Sequence, residues 1–190
     1  MDTLRIINKY YRKNPKAKRI LLIHANQVSK KAFLIARDYE MKAGKKVDKQ
    51  FLKEAAMLHD IGMIETDAPK IFCHGKCPYI MHGVLGAAIL RREGKNIGKN
   101  LERHAKVCER HVGVGLTRKE IEKARLPLPK RDMIPLSVEE KIICIADKFF
   151  SKRANRLGKE YSLNHMREEI MPYGNAQLKR FEGMAKELGL

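Results

Sequence analysis

The residues of this sequence that could do chemistry are histidines and acidic residues, and the adjacent pair His59 and Asp60 is the most informative. The pair ends a predicted helix on which Leu52, Ala55, Ala56 and His59 follow the i, i+3, i+4, i+7 spacing of a buried face. A polar side chain on such a face is costly unless it is hydrogen-bonded, paired or bound to a metal. By itself the pair predicts either a satisfied core histidine or one part of a metal site.

Further polar residues occupy inward positions on other predicted helices. His24 borders the apolar stripe of its helix, His82 lies in the first turn of another, and Asp147 lies within an apolar stretch. His104 and His111 share one face of a further helix. We prefer His111 as the functional one of these two, because it lies at the helix end.

Together the inward residues offer four imidazoles and two carboxylates, which are enough donors for two divalent ions. Asp60 is the natural bridge, because its two oxygens can each bind a different ion. His24, His59 and Asp147 would complete one ion, and His82 and His111 would complete the other. Two ions about 3.5–4 Å apart can activate a water molecule and hold both oxygens of a phosphoryl transfer. Mixed nitrogen and oxygen donors suit Mn, Fe, Ni, Co or Zn.

An all-α fold is predicted to position these residues, since apolar residues recur at helical spacing and no alternating strand pattern is found. Asp48, Thr117 and Ser137 are expected to cap helix starts, and Gly44, Gly62 and Gly94 to end helices. The predicted helices cover approximately residues 2–13, 16–43, 48–60, 79–94, 97–112, 117–126, 137–150, 164–171 and 175–188.

We expect residues 1–190 to form a single domain, a compact helical bundle. Its core would cover about residues 20–150, and residues 151–190 would form a C-terminal helical extension. Residues 63–78 read as a long loop. Because the loop follows the His-Asp pair directly, we expect it to wall the site.

The composition is that of a folded protein without membrane contact. The chain has 190 residues, of which 44% are apolar, and this is enough for one domain with its own core. Neither a signal peptide nor an apolar run of membrane-spanning length is found, so we expect a cytoplasmic protein. With no secretion signal, the four cysteines are expected to be free thiols.

A large positive charge bears on the partners of the protein. The net charge is +18, and residues 1–50 hold 14 Lys and Arg against 4 Asp and Glu. This excess could attract nucleic acid or a phosphorylated small molecule such as a nucleotide, or it could be a solvated lysine-rich surface. No nucleic-acid-binding motif accompanies the charge, and the oligomeric state stays open.

The order of the candidate ligands resembles that of a known family. His24, His59-Asp60 and Asp147 are similar to the H…HD…D signature of the HD superfamily of metal-dependent phosphohydrolases, and the sequence from His59 to Gly62 matches its HDIG form. His82 and His111 resemble the two extra ligands of the bimetallic branch, an order that also favours His111 over His104.

The resemblance implies a hydrolase that cleaves a phosphate ester or anhydride, in particular of a nucleotide. The water would be activated at a dinuclear metal site, with His59 and Asp60 as catalytic residues. Met63 stands where the HD-GYP cyclic-dinucleotide phosphodiesterases usually carry a lysine, and no GYP motif is present, which argues against cyclic dinucleotides as substrates. Two alternatives stay open: an HD-type di-iron oxygenase, and a non-catalytic HD module that binds nucleotide or nucleic acid.

Residues that could contact the substrate lie after the proposed ligands in the sequence. Lys148, Lys152 and Arg153 follow Asp147 and could meet phosphate oxygens, although each could equally lie on a solvated helix face. His74, in the predicted loop, is a further candidate for substrate binding. His165 is expected at the surface.

Overall fold

Nine helices account for most of the chain in the computed structural model, which describes residues 1–153 and 155–190. The all-α fold class predicted from the sequence is therefore confirmed. The helices are α1 (Thr3–Tyr11), α2 (Pro15–Ala43), α3 (Lys49–Leu58), α4 (His82–Asn96), α5 (Glu102–Arg110), α6 (Arg118–Lys123), α7 (Val138–Lys148), α8 (Leu163–Ile170) and α9 (Asn175–Glu187).

The ends of α2 and the start of α3 follow the sequence signals. Asn14 accepts a hydrogen bond from the backbone N–H of Ala17, and Gly44 ends α2 with a left-handed φ of 64°. Asp48 caps α3 by accepting from the backbone N–H of Phe51. These signals are local, so they could be recognised without knowledge of the tertiary structure.

The end of α3 differs from the prediction of a left-handed cap at Gly62. The α-helix ends at Leu58, and Gly62 lies inside a 3₁₀ turn over Ile61–Glu65. A Cβ atom on Gly62 would lie 2.2 Å from the carbonyl oxygen of His82 and 2.3 Å from the backbone nitrogen of Gly86. Glycine is therefore required here so that the turn can lie directly against α4.

The predicted bounds of α4 and α5 were also wrong. A 3₁₀ turn over Tyr79–Met81 precedes α4, and α4 continues past Gly94 to Asn96. A Cβ on Gly94 would lie 2.6 Å from the carbonyl oxygen of Lys99, so this glycine allows a close chain approach and does not stop the helix. The following helix, α5, begins at Glu102 and ends at Arg110.

The segment predicted as a loop without strands forms a small three-stranded sheet, which corrects the sequence prediction. The strands are β1 (Thr66–Ala68), β2 (Cys73–His74) and β3 (Cys77–Pro78), in the order β2-β1-β3. β1 pairs antiparallel with β2 and parallel with β3. Strands of two or three residues are too short to produce a recognisable alternation of apolar and polar residues.

The two larger hydrophobic cores share α2, which lies between them. Leu21 and Ala25 belong to a core with α1, α4 and α5, whereas Val28 and Ala32 belong to a core with α3, α7 and α9. His24 lies between these two groups on the same helix and is fully buried. In the part of the chain that is described, the four cysteines are free thiols.

The length and apolar composition of the helices show whether any of them could cross a membrane. Among the helices of residues 1–153 and 155–190, none combines the length and the apolar composition needed to cross a membrane.

Candidate metal centre

Six buried polar residues converge from five helices on one point in the interior. Each of them is at most 5% exposed. His59 and Asp60 follow the last residue of α3, His82 opens α4, and His111 caps the end of α5. The full set is His24, His59, Asp60, His82, His111 and Asp147. The structure thus brings together the six residues that the sequence suggested as ligands.

Asp60 lies at the centre of the set, and its two oxygens face different partners. Oδ2 lies 3.3 Å from Nε2 of His24 and 3.1 Å from Nε2 of His59. Oδ1 lies 3.4 Å from Nε2 of His82 and 3.4 Å from Nε2 of His111. This is the arrangement that a bridging carboxylate needs.

Asp147 belongs to the side of the cluster that contains His24 and His59. Its Oδ1 lies 2.9 Å from Nε2 of His24 and 3.5 Å from Nε2 of His59. The donor atoms of this group of four lie within 4.8 Å of one another, as do those of Asp60, His82 and His111. The two groups share Asp60, which is the division expected from the sequence.

Three of the histidines are oriented by the same local contact. Nδ1 of His59 lies 2.7 Å from the carbonyl oxygen of Ala56, and Nδ1 of His82 lies 2.7 Å from that of Tyr79. Nδ1 of His111 lies 2.8 Å from the carbonyl oxygen of Cys108. A carbonyl can only accept, so Nδ1 carries the proton in each ring. Nε2 then faces the cluster in each ring, as it does in metal-ligating histidines.

Several buried polar atoms of the cluster lack a hydrogen bond, and this bears on whether the cluster fits a cation. Both carboxylate oxygens of Asp60 and Nε2 of His59 are buried and have no hydrogen bond of good geometry among the described residues, although the ammonium of Lys152 lies 2.8 Å from Oδ2 of Asp60. Nε2 of His82 lies 3.1 Å from Nε2 of His111, so two lone pairs face each other when both rings are neutral. Buried polar atoms are rarely left in this state, and a cation would satisfy all of them. The residues therefore fit a metal site.

Without a metal, the charges of the cluster are balanced by protons and a lysine. Burial alone would lower the pKa of His59, but the carboxylates of Asp60 and Asp147 outweigh it and raise the pKa to about 9. Burial lowers the pKa of His82 to about 3, and that of His111 is also lowered by burial. A metal that binds through His59 would have to displace its proton.

Lys152 supplies the other positive charge of the cluster. Its Nζ lies 2.8 Å from Oδ2 of Asp60 and 3.2 Å from Oδ1 of Asp147. Burial opposes the charged ammonium, but the two carboxylates outweigh burial and raise the pKa of Lys152 well above its usual value. Burial also opposes the charged carboxylate of Asp60, but His59 and Lys152 hold its pKa well below the usual range. Lys152 thus occupies the side of the carboxylates that a cation would use.

Two adjoining cavities open onto the cluster. The first, of about 570 Å³, is lined by the Asp67–Ile71 segment, Arg153 and the stacked rings of Tyr161 and His165. The second, of about 900 Å³, is lined by His82, His111 and residues 173–177. The walls shared by both cavities are formed by Tyr79, Asp147, Lys148, Lys152, Glu169 and Ile170.

The residues proposed to contact substrate have different positions. Lys148 and Arg153 line the first cavity, as a phosphate-binding role requires. His74 is exposed on β2 and does not line either cavity, so the structure does not bring it to the cluster. His165, expected at the surface, is half-buried in the wall of the first cavity.

Sequence reasoning missed Tyr79 as a wall residue. The Tyr79 ring stacks on His82 with 4.6 Å between the ring centroids. Tyr79 lies three residues before His82, and its backbone carbonyl orients the imidazole of His82. This spacing is the signal in the sequence that could have identified Tyr79 as a residue of the site.

His104, the competitor of His111 in the sequence, lies outside the cluster. Its ring packs 4.9 Å from that of Phe51, and its Nε2 lies 3.3 Å from Oε2 of Glu54. Burial lowers the pKa of His104. His104 is therefore a buried histidine of the same helix face that contributes no donor to the groups around Asp60.

The pair His82 and His104 gives a matched test of the second group of ligands. We expect His82→Ala to bind one metal ion fewer than the wild type, because Asp60 and His111 alone leave that group with two donors. His104→Ala should keep the full metal content. Elemental analysis of the purified variants measures both. If His82→Ala retains as much metal as His104→Ala, the assignment of His82 as a ligand is wrong.

Comparison with known proteins places the chain in a family. The HD domain family matches residues 21–151, the part of the chain that carries all six residues of the cluster. An uncharacterised protein of Methanocaldococcus jannaschii is 38% identical over 124 residues, which are 65% of this chain and 62% of that protein.

Two further relatives are named as tRNA (cytidine(56)-2'-O)-methyltransferases. The one from Picrophilus torridus is 36% identical over 55% of this chain and 25% of its own length. The one from Thermoplasma volcanium is 31% identical over 69% of this chain and 32% of its own length. The match thus covers less than two thirds of each of the three relatives. Because the family match covers more than half of the chain, this protein belongs to the HD domain family.

Proposed function

We propose that this protein is a metal-dependent phosphohydrolase that cleaves a phosphate ester or anhydride of a nucleotide. The observation that carries the proposal is the position of Asp60, whose two oxygens face two groups of imidazole donors. Two cavities reach this cluster, both at Asp147 and the second also at His82 and His111. The reaction adds one water across a P–O bond, so that phosphate and the leaving alcohol or phosphate are released.

The proposed ligands would hold two divalent transition-metal ions, of Mn, Fe, Ni, Co or Zn. When bound, such ions supply an activated water and neutralise charge on the phosphoryl oxygens. His59 and Asp60 are the proposed catalytic residues, because both contribute to the side of the cluster nearest Lys152. The backbone carbonyls that accept from Nδ1 of His59, His82 and His111 keep these three imidazoles fixed during turnover.

Cationic side chains at the mouth would orient the phosphate. The ammonium of Lys152, whose side chain is 13% exposed, lies beside the carboxylates, and Lys148 contacts Oδ2 of Asp147. Arg153 lies further out in the wall of the first cavity. Together they offer ammonium and guanidinium donors at different depths, which suits a phosphate chain that enters from solvent.

A turnover assay with a metal panel tests this proposal. Purified protein loaded with Mn or Fe should release phosphate from p-nitrophenyl phosphate or from members of a nucleotide panel. Absence of turnover with any of the five metals would refute the hydrolase. Oxygen uptake by the iron-loaded protein in place of phosphate release would favour the di-iron oxygenase.

A second candidate function is a module that holds RNA. It is supported by the net charge of +18 and by the two relatives named as tRNA methyltransferases. Phosphate contacts make such binding strongly salt-dependent. Binding of tRNA that weakens steeply between about 50 and 200 mM salt, in a protein without hydrolase activity, would favour this candidate over the enzyme.

We propose further that the C-terminal helices belong to the same domain as the metal cluster. The family match ends at residue 151, but α9 packs against α7 and contributes Phe181 and Met184 to the core that also contains Ile143. Residues 161–177 also contribute to the walls of both cavities. Removal of residues 163–190 should therefore expose apolar core surface and unfold the chain.

A further inference from the structure

Two segments of the chain carry many basic residues and no acidic ones. Residues 3–37, which form α1 and most of α2, hold ten Lys and Arg and no Asp or Glu. Residues 148–159, which follow the proposed ligand Asp147, hold five Lys and Arg and no Asp or Glu. A surface with one sign of charge attracts a polyanion. These segments are therefore the part of the chain that an anionic partner would meet most favourably.

Most of the cations in the first segment are not neutralised by the protein. Lys9, Lys31 and Arg37 form ion pairs with carboxylates, and the other seven form none among residues 1–153 and 155–190. Arg12 and Lys16 flank the turn that joins α1 to α2, and both are exposed. Cations of this kind can exchange their counterions in solution for the phosphates of a nucleic acid.

An exposed aromatic ring lies beside these cations. Phe72 is 38% exposed, and Nζ of Lys16 lies 5.3 Å from the centroid of its ring. The φ of Phe72 is 59°, a left-handed conformation that is unfavourable for a bulky residue. Residues in such conformations cluster at functional sites. Phe72 thus combines a free ring, a neighbouring cation and a strained backbone.

Hydrogen bonds place Phe72 and the α1–α2 turn at the edge of the first cavity. Nδ2 of Asn14, in the turn, donates to the carbonyl oxygen of Phe72 at 2.5 Å. The backbone N–H of Phe72 donates to the carbonyl oxygen of Pro69 at 3.0 Å, and Pro69 lines the first cavity together with Asp147. The outer rim of this cavity is formed by Arg12, Lys13, Lys16 and Phe72.

A second aromatic and basic group lies in the wall of the same cavity. The guanidinium of Arg156 lies 5.8 Å from the centroid of the Tyr161 ring, and this ring stacks on His165 at 4.2 Å. The backbone N–H of Tyr161 donates to the carbonyl oxygen of Phe149 at 2.8 Å. Because Phe149 is only two residues after Asp147, this bond fixes the inner stack of Arg156, Tyr161 and His165 close to the metal cluster.

The charges inside the first cavity nearly balance, so the positive excess lies outside it. The cavity wall has four cationic and three acidic side chains, namely Lys70, Lys148, Lys152 and Arg153, and Asp67, Asp147 and Glu169. The residues of the outer rim do not line the cavity. A single nucleotide confined to the cavity would leave the cations of the outer rim without a phosphate, whereas a longer chain of nucleotides would reach them.

We infer that the outer rim and the inner stack bind a single strand of nucleic acid and lead it to the metal cluster. The cations of the outer rim would contact backbone phosphates, and unpaired bases would stack on Phe72 and on the inner stack. Bases within a duplex have no free face for such stacking. The inference rests on the proposed function for the reaction, in which one water is added across one P–O bond and a terminal phosphate is released or the strand is divided.

Binding of a fluorescently labelled RNA strand of about 12 nucleotides to the metal-free protein tests the outer rim. Arg12→Gln combined with Lys16→Gln removes two cations, and each phosphate contact of a single strand adds about 0.7 to the slope of log affinity against log salt concentration. We expect the slope to become shallower by about 1.4 and the affinity at about 0.1 M salt to fall at least about tenfold. Fluorescence anisotropy measures both quantities.

Lys95→Gln combined with Lys99→Gln is the charge-matched control. Both lysines are exposed, and Lys95 follows His82 by thirteen residues on α4, which is about 20 Å along the helix axis. This variant should keep nearly the affinity and the salt slope of the wild type. If the two double variants lose affinity equally, the strand responds to net charge alone, and the outer rim is refuted as its binding site.

Phe72→Asn tests the stacking of a base. Asn adopts the left-handed conformation more readily than Phe, so the backbone should be kept, which thermal unfolding checks. The affinity for the single strand should fall at least about fivefold, with an unchanged salt slope because the ring carries no charge. The affinity for a duplex of the same sequence should stay that of the wild type. Full affinity for the single strand, or an equal loss for the duplex, would overturn the inference.

Turnover separates this inference from the proposed function. In the Mn-loaded wild type, kcat/KM for the 5′-phosphorylated strand should exceed that for adenosine 5′-monophosphate by at least about tenfold, the factor expected from the outer rim. Equal values would refute the strand as the substrate while the hydrolase stands. If the strand binds as described and no phosphate ester is hydrolysed with any of the five metals, the binding surface stands and the proposed function falls.

Discussion

Asp60→Ala should lose metal from both halves of the cluster and all measurable turnover. Asp60 provides Oδ2 to the group of His24 and His59 and Oδ1 to the group of His82 and His111. No other residue of the cluster belongs to both groups. Changes to residues that merely support a ligand already cost roughly 10–100-fold in metal affinity or activity. We therefore expect a loss of at least about a hundredfold.

Metal content and turnover should be measured on the same preparations, with two comparison variants. Asp60→Asn keeps the volume of the side chain but removes its charge, so a loss of metal in this variant cannot be attributed to a cavity. Asp38→Ala removes a carboxylate of α2 whose side chain is 40% exposed and should behave as the wild type. If Asp60→Ala retains the full metal content, Asp60 does not bridge two ions, and the division of the ligands into two groups is wrong.

The ligand set could be recognised from the sequence because each member conflicts with its local surroundings. His24 lies on an otherwise apolar helix face, and Asp147 lies among isoleucines, where an unpaired carboxylate would be costly. Such conflicts are visible one helix at a time. The sequence does not show that these polar residues meet at Asp60. They meet because the helices pack their apolar faces into the same interior.

The helix ends near the cluster could not be predicted, because they depend on contacts between distant segments. Gly62 and Gly94 have the composition of helix stops, but each is needed where another backbone lies within 3 Å of its would-be Cβ. A third approach of this kind fixes α4 on α5, since a Cβ on Gly83 would lie 2.5 Å from the carbonyl oxygen of Cys108. These contacts set the positions of His82 and His111, and local sequence contains no signal for them.

The walls of the two cavities were the least predictable part of the site. Lys152 could be suspected from its distance to Asp147 along the chain, but its burial beside two carboxylates depends on how the chain turns after α7. Residues 173–177, which line the second cavity, follow the part of the chain that resembles the family, and nothing near them in the sequence suggests a wall of the site. Side chains that meet only across a cavity are recognised from the structure alone.

Lys152→Met should destabilise the metal-free protein and at the same time increase the stabilisation that metal provides. Nζ of Lys152 lies within 3.2 Å of both Asp60 and Asp147, and its side chain is 13% exposed. Removal of one partner from a buried ion pair costs about 3–5 kcal/mol, so the free energy of unfolding should fall by this order. A metal ion would neutralise the same carboxylates, and in the variant it would no longer compete with the ammonium.

Lys148→Met is the matched control for this prediction, because among the described residues Lys148 forms an ion pair with Asp147 and none with Asp60, and its side chain is 21% exposed. Loss of this single and more exposed contact should lower the free energy of unfolding less than loss of Lys152, which contacts two carboxylates. Thermal unfolding with and without Mn should show a larger metal-dependent rise for Lys152→Met than for Lys148→Met or the wild type. Turnover of metal-loaded Lys152→Met should nevertheless fall by about a hundredfold, the usual cost of removing a donor that stabilises developing charge. If metal stabilises all three proteins equally, Lys152 does not occupy the side of the carboxylates that the cation uses, and its place in the catalytic site would have to be reassigned.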